Sequence, residues 1–167
     1  MLILVCGLPA TGKSTIANRL ARRLNATLLR TDVVRKELFP APRYTEEEKN
    51  LVYDITLLVA RYLLRSGVRV VVDGTFYKRA GRVQAYKLAE ETGKRLVIIE
   101  CVCPDEVIQA RMRSRALREG LPTDADYQVY LKIKGEFEPI QRKHIVVDTS
   151  RPLRENLEDI YRYAGFR

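Results

Sequence analysis

Gly7-Leu8-Pro9-Ala10-Thr11-Gly12-Lys13-Ser14 matches the pattern G-x-x-x-x-G-K-[ST] at every defined position. It lies between an apolar run, Leu2 to Cys6, and a segment in which Ile16, Ala17, Leu20, Ala21 and Leu24 recur at helical spacing. A loop in that setting has one main use. Its glycines let the backbone curl so that successive N–H groups point at an anion, and the helix beginning near Lys13 adds the positive end of its dipole. Lys13 would set a compact cation against the β- and γ-phosphates of a nucleotide. The Ser14 hydroxyl is a candidate ligand for magnesium, an ion that prefers oxygen donors and nucleotide phosphates. Gly7, Leu8, Pro9, Ala10, Thr11, Gly12, Lys13, Ser14 and Thr15 therefore form the candidate nucleotide-binding set, with ATP and Mg2+ as the expected cofactors.

The rest of the chain alternates strand and helix patterns. Strands are expected at Thr27–Arg30, Val68–Val72, Leu96–Val102 and His144–Val147, in addition to the first. Helices are expected from Lys13 to Leu24, Val33 to Phe39, Thr45 to about Gly67, Arg79 to Thr92, Asp105 to Glu119, Asp126 to Phe137, and between Pro152 and Gly165. Thr45-Glu46-Glu47-Glu48 reads as a capping box opening the longest of these, whose apolar face is expected to carry Leu51, Ile55, Leu58, Val59 and Tyr62. Five short apolar strands separated by helices specify an α/β fold, a parallel sheet covered on both faces. Right-handed crossovers bring the strand C-termini, with Gly7, Asp32, Asp73, Cys103 and Asp148, to one edge, where ligands bind. At 167 residues, one domain spanning 1–167 is expected.

Composition narrows the chemistry. Thirty basic against 21 acidic residues give a formal charge of +9, which attracts phosphates, nucleotides or RNA without choosing among them. Cys6, Cys101 and Cys103 lie in apolar β-like runs, where a free thiol behaves as a small hydrophobe. With no second cysteine pair and with His144 as its one histidine, the sequence argues against a thiolate metal site and against a Ser-His-Asp hydrolase. The apolar runs are too short for a membrane helix, and the amino terminus reads as a strand rather than a signal peptide, so a cytoplasmic protein with no membrane partner is expected.

An Asn-Lys-x-Asp base-reading motif of GTPases is absent, and a motor would need more chain. A small kinase needs a nucleotide loop, an acceptor pocket, a base and mobile cations over the transferring phosphoryl group, and this chain has candidates for all four. Thr31-Asp32-Val33-Val34-Arg35 follows the second strand. Val72-Asp73-Gly74-Thr75-Phe76 closes the third. Arg111, Arg115 and Arg118 share one helix face, with Arg113 pointing elsewhere.

Together with the phosphate loop, these segments resemble the P-loop kinases, in particular the small AAA-domain kinases of the zeta-toxin, chloramphenicol-phosphotransferase and polynucleotide-kinase type. The resemblance spans nearly the whole chain. It implies a three-layer P-loop NTPase fold, a five-stranded parallel sheet in the order 2-3-1-4-5, and a short helical lid at about 115–126. It also implies that Asp32 accepts the proton of an attacking hydroxyl and that Arg35 holds an acceptor phosphate or other anion. Asp32 could also cap the helix that follows it, and both roles can hold together. Asp73 stands where such proteins carry an acid that binds magnesium or fixes the arginine. Arg111 and Arg115 would approach the phosphates from the lid, and Arg151, after the last strand, would stack on the base. Tyr44, Phe76, Tyr77 and Lys78 would flank the acceptor. The implied activity is transfer of the γ-phosphoryl group of ATP to a hydroxyl, with the D-x-x-R pattern and the charge leaning towards a polynucleotide 5′-end or other phosphate-bearing acceptor. Kinases of small metabolites or antibiotics, and an RNA-binding ATPase switch without phosphotransfer, are the alternatives.

Overall fold

The computed structural model describes residues 1–119 and 123–166, with side chains for 1–117 and 127–166. In chain order the elements are β1 (Leu2–Gly7), α1 (Lys13–Leu24), β2 (Thr27–Arg30), α2 (Thr31–Leu38), α3 (Glu46–Arg65) and β3 (Val70–Asp73). They continue with α4 (Arg79–Glu91), β4 (Leu96–Val102), α5 (Asp105–Glu119), α6 (Thr123–Gly135), β5 (Ile145–Asp148) and α7 (Leu153–Ala164). All five strands are parallel, in the order β2-β3-β1-β4-β5. This is the sheet of a P-loop NTPase, and β1 at its centre is buried along its whole length.

The side-chain alternation of β1 divides the core. Leu2, Leu4 and Cys6 point to one face, where they pack with Tyr53, Leu57, Ala60 and Leu64 of α3 and with Ala85, Leu88 and Ala89 of α4. Ile3 and Val5 point to the other, against Ile16 and Leu20 of α1 and Ile160 and Ala164 of α7. Two apolar layers on one central strand leave its C-terminal end as the place where polar groups from several elements meet. A smaller cluster, Ile108, Met112 and Tyr130, joins α5 to α6, with Leu8 and Ala10 of the phosphate loop packed against it.

Two expectations change. The helix after β2 starts at Thr31, earlier than the sequence pattern suggested, with Arg30 at its N-cap position. Asp32 therefore sits inside the first turn and does not cap the helix. In α3 the buried face is Val52, Tyr53, Thr56, Leu57, Ala60 and Leu64, whereas Leu51, Leu58, Val59 and Tyr62 are exposed. This helix carries apolar residues on both sides. The side bearing Thr56 and Ala60 is the one whose small side chains let the helix settle on the sheet, with the Thr56 hydroxyl returned to the Val52 carbonyl at 2.6 Å. Thr45 caps α3 as expected, accepting the Glu48 N–H at 3.2 Å. Most of the 115–126 stretch expected to form a lid, Arg118 included, lies outside the residues with described side chains.

Candidate active site

The phosphate loop joins β1 to α1 in a conformation that its glycines permit. Gly7 has φ +141°, and a Cβ there would lie 2.3 Å from the Cys101 carbonyl oxygen. Gly12, at φ +82°, occupies the N-cap position of α1, so no side chain screens the helix terminus. The loop is braced from within and from behind. Thr11 is buried and donates its hydroxyl to the Leu8 carbonyl at 2.7 Å. Thr149, in the loop after β5, donates its hydroxyl to the Thr11 carbonyl at 2.6 Å. Arg111 of α5 donates to the same Thr149 hydroxyl at 2.9 Å and to the Thr149 carbonyl at 2.8 Å.

Lys13 donates its ammonium to the Leu8 carbonyl at 2.8 Å. Burial pulls its pKa below the ordinary lysine value, with nearby Asp73 as the main opposing influence. A desolvated cation at the mouth of a ring of N–H groups gains from an arriving phosphate on both counts. Ser14, one residue on, donates its hydroxyl to Asp73 at 2.6 Å. Asp73 is 3% exposed at the end of β3, and burial raises its carboxyl pKa although Ser14 and Lys13 pull the other way.

The Ser14 hydroxyl and the Asp73 carboxylate fit a magnesium ion: both are hard oxygens, in contact, beside the loop that would hold the phosphates. No cluster of three or more His, Cys, Asp or Glu side chains suited to a metal occurs among the described residues. Such an ion would depend on phosphate oxygens and water for the rest of its shell, as magnesium commonly does.

The loop faces a cavity of about 1500 Å³, lined by Lys13, Ser14, Asp32, Arg35, Asp73, Arg111, Arg115 and Arg151 among others. That volume exceeds the 300–1,000 Å³ typical of a single small-molecule site, so it has room for a nucleotide and a second substrate. Pro9, Ala10, Gly12 and Thr15 also line it, whereas Gly7, Leu8 and Thr11 do not. Arg115 is exposed on α5. Arg151 pairs with Glu155 at 3.1 Å and Asp159 at 3.0 Å.

Asp32 reaches the cavity from α2, paired with Arg30 at 2.8 Å. The same Arg30 lies 3.8 Å from Asp73, so the arginine beside that acid is Arg30 and not Arg35. Arg35 lies one helical turn further on. It pairs with Glu48 of α3 at 3.4 Å and stands 5.1 Å from the centre of the Tyr44 ring. Glu48 also accepts the Arg43 N–H at 2.9 Å and the Tyr44 N–H at 2.8 Å.

The aromatic residues expected around the acceptor divide. Tyr44 is 68% exposed and lines the cavity. Phe76 is fully buried, stacked on Tyr53 at 4.5 Å, and belongs to the core. Tyr77 lines the cavity, where its hydroxyl accepts from Lys49 and donates to Glu46 at 3.0 Å. Lys78 pairs with Glu136 at 3.2 Å, outside the cavity lining.

Arg30, Lys49 and Arg82 are contributors that the motifs did not single out, and Glu48 and Thr149 take parts that their motifs did not indicate. Arg82, of α4, is 1% exposed and donates to the carbonyls of Phe76 (2.7 Å), Tyr77 (3.1 Å), Glu138 (2.7 Å) and Pro139 (3.1 Å). It joins the loop carrying Tyr77 to the segment after α6. An arginine within a helical pattern gives no hint of that.

Residues 2–140 match a family model described as an AAA domain. Rv2004c of Mycobacterium tuberculosis strain H37Rv is 30% identical over 172 residues, covering 96% of this chain and 34% of its own. This chain thus spans about a third of the length of that relative. A protein of Archaeoglobus fulgidus named "Probable adenylyl-sulfate kinase" is 30% identical over 158 residues, 89% of this chain and 96% of its own. Among solved structures, the Mycobacterium tuberculosis APS kinase CysC in complex with AMPPNP and APS superposes with a TM-score of 0.70 at 19% identity, covering 98% of this chain and 96% of that one. The fold is therefore shared with a nucleotide-binding kinase, and the chain belongs to the AAA-domain family as a P-loop, kinase-like domain.

Proposed function

We propose that the chain is an ATP-dependent phosphotransferase that moves the γ-phosphoryl group to a hydroxyl of a second substrate. The observation that carries this reading is a cavity lined together by residues 9, 10 and 12–15 of the phosphate loop, by Asp32 and by Arg111 and Arg115. Relatives named as kinases support it. In this reading the N–H groups of residues 7–15 and the Lys13 ammonium hold the β- and γ-phosphates, and Arg151 borders the base. Ser14 and Asp73 would hold a magnesium ion, which when bound neutralises phosphate charge. Asp32 orients the acceptor O–H and takes its proton, and Arg30 keeps the carboxylate in place. The acceptor oxygen forms a bond to the γ-phosphorus as the bond to the β–γ bridging oxygen breaks, and ADP leaves with that electron pair. Arg111 and Arg115 meet the charge on the transferring group, with α5 and α6 as the cover over it. In this reading residues 1–167 act as one kinase unit.

The test follows label from γ-³²P-ATP into acceptor or into inorganic phosphate. Asp32→Asn should keep nucleotide affinity and lose transfer by about 10²–10⁴-fold, the range for a positioned general base. Lys13→Ala should lose nucleotide binding while staying folded. Full acceptor phosphorylation by Asp32→Asn rejects the role of Asp32. Release of inorganic phosphate stimulated by RNA, with no labelled acceptor, rejects phosphotransfer in favour of an ATPase switch.

A further inference from the structure

Resting on the kinase reading, we infer that the acceptor is a small, uncharged polyhydroxy compound and not a nucleic-acid end or other phosphate-bearing molecule. The acceptor side of the cavity is where a polynucleotide kinase would need unpaired cations. Here each inner cation already has a carboxylate. Arg30 is held by Asp32 at 2.8 Å, and its Nε, buried without a hydrogen-bond partner, lies 3.8 Å from Asp73. Arg35 is held by Glu48 at 3.4 Å, and Lys49 by Glu46 at 2.5 Å. With the lining residues Lys36, Lys132 and Glu136 included, and Glu48 counted although it stands beside Arg35 and off the cavity lining, five cations face five carboxylates, so the wall carries no net positive charge. The exposed Lys36 and Lys132 are on the cavity lining but outside these pairs.

The Arg35–Glu48 pair is the decisive one. Its side chains are only 13% and 12% exposed, so it is poorly screened by solvent. Glu48 is anchored a second time by the Arg43 and Tyr44 N–H groups and cannot swing away without leaving them unpaired. A phosphate approaching Arg35 would meet that carboxylate at close range. Placing like charges side by side in such a site is strongly unfavourable.

Hydroxyl groups meet no such penalty. They donate to the carboxylates and accept from the guanidinium and ammonium groups, so every ion pair on this wall offers both halves of the exchange. The exposed Tyr44 ring supplies an apolar face for a carbon skeleton. The notable consequence is that the overall charge of +9, which by itself suggests a nucleic-acid partner, does not extend to the acceptor wall.

The experiment compares labelled-phosphate transfer to two sets of acceptors at equal concentration. One contains hexoses, hexitols, inositol and ribonucleosides; the other contains their monophosphates and 5′-hydroxyl oligonucleotides. Wild-type protein should give a kcat/KM at least about tenfold higher for its best neutral acceptor than for any anionic one. Glu48→Gln should narrow that preference by about tenfold, through the acceptor KM, with the ATP KM unchanged. A loss confined to kcat, or an unchanged preference, removes the pair from acceptor selection and overturns the inference. So does preferential transfer to an anionic acceptor, which leaves the kinase reading standing. Transfer to anionic acceptors alone, or to no acceptor in the neutral set, also overturns it. Nucleotide binding and hydrolysis with no acceptor labelled in either set fails the kinase reading as well.

Discussion

In the proposed reading, Asp73 would serve a ligand at the expense of the unliganded fold. Its carboxyl pKa is raised chiefly by burial, so folding favours the protonated form. A carboxyl group with a folded pKa above its unfolded value gives its full contribution below the unfolded value, and loses it as pH rises through the folded one. At neutral pH, without nucleotide and metal, the ionised Asp73 therefore destabilises the protein. Asp73→Asn, able to keep a hydrogen bond to Ser14, should melt at a higher temperature than wild type near pH 7, and the difference should shrink as the solution is acidified. Adding ATP and Mg2+ should reverse the order. Thermal melts across pH, with and without ligand, check both signs.

Arg82 is the residue-scale counterpart beside Tyr77, a buried guanidinium whose two terminal nitrogens donate to four main-chain carbonyls while its Nε has no partner. Arg82→Met should cost about 3 kcal/mol or more, since it orphans several buried acceptors at once. Its effect on catalysis should fall on the acceptor KM, because Tyr77 is in the loop it holds, while ATP affinity stays near the wild-type value. Urea unfolding and steady-state kinetics measure the two effects.

At the scale of elements, α3 separates what the pattern reveals from what packing decides. Leu57 is 5% exposed and Leu58 is 44% exposed, although they are neighbours in sequence and identical in type. Leu57→Ala should destabilise the protein by about 2–5 kcal/mol, the range for a buried leucine, and Leu58→Ala by about 0.5 kcal/mol or less. Denaturant midpoints distinguish them. The strands were legible because each is a short apolar run ended by a turn residue, and the phosphate loop because few sequences satisfy its spacing between a strand and a helix. The buried side of α3 was not legible, since both sides are apolar and the choice rests on Thr56 and Ala60 meeting the sheet. The pairing of Arg30 with Asp73, in place of Arg35, was hidden for a related reason. Which of two nearby arginines lies beside an acid depends on where α2 begins, and it begins at Thr31. Glu48 was legible as a capping residue but not as the partner of Arg35.

For the whole molecule, nucleotide binding and folding should be linked. A ligand present at about 100 times its dissociation constant stabilises the native state by about 2.7 kcal/mol. For a chain of this size that corresponds to a rise in Tm of about 5–10 °C. ATP with Mg2+ should produce it in wild-type protein, and Lys13→Ala should abolish it. Differential scanning calorimetry over a series of ATP concentrations measures the shift.

The Thr149 hydroxyl, which braces Thr11 from 138 residues away, has a bearing on biosynthesis. The bond joins the loop between β1 and α1 to a segment that follows β5, so its two halves are synthesised at well-separated times. A nascent chain that has made β1 and α1 but not β5 possesses the motif without its rear support. In the kinase reading, a full grip on ATP therefore has to wait until β5 and the loop after it have been made.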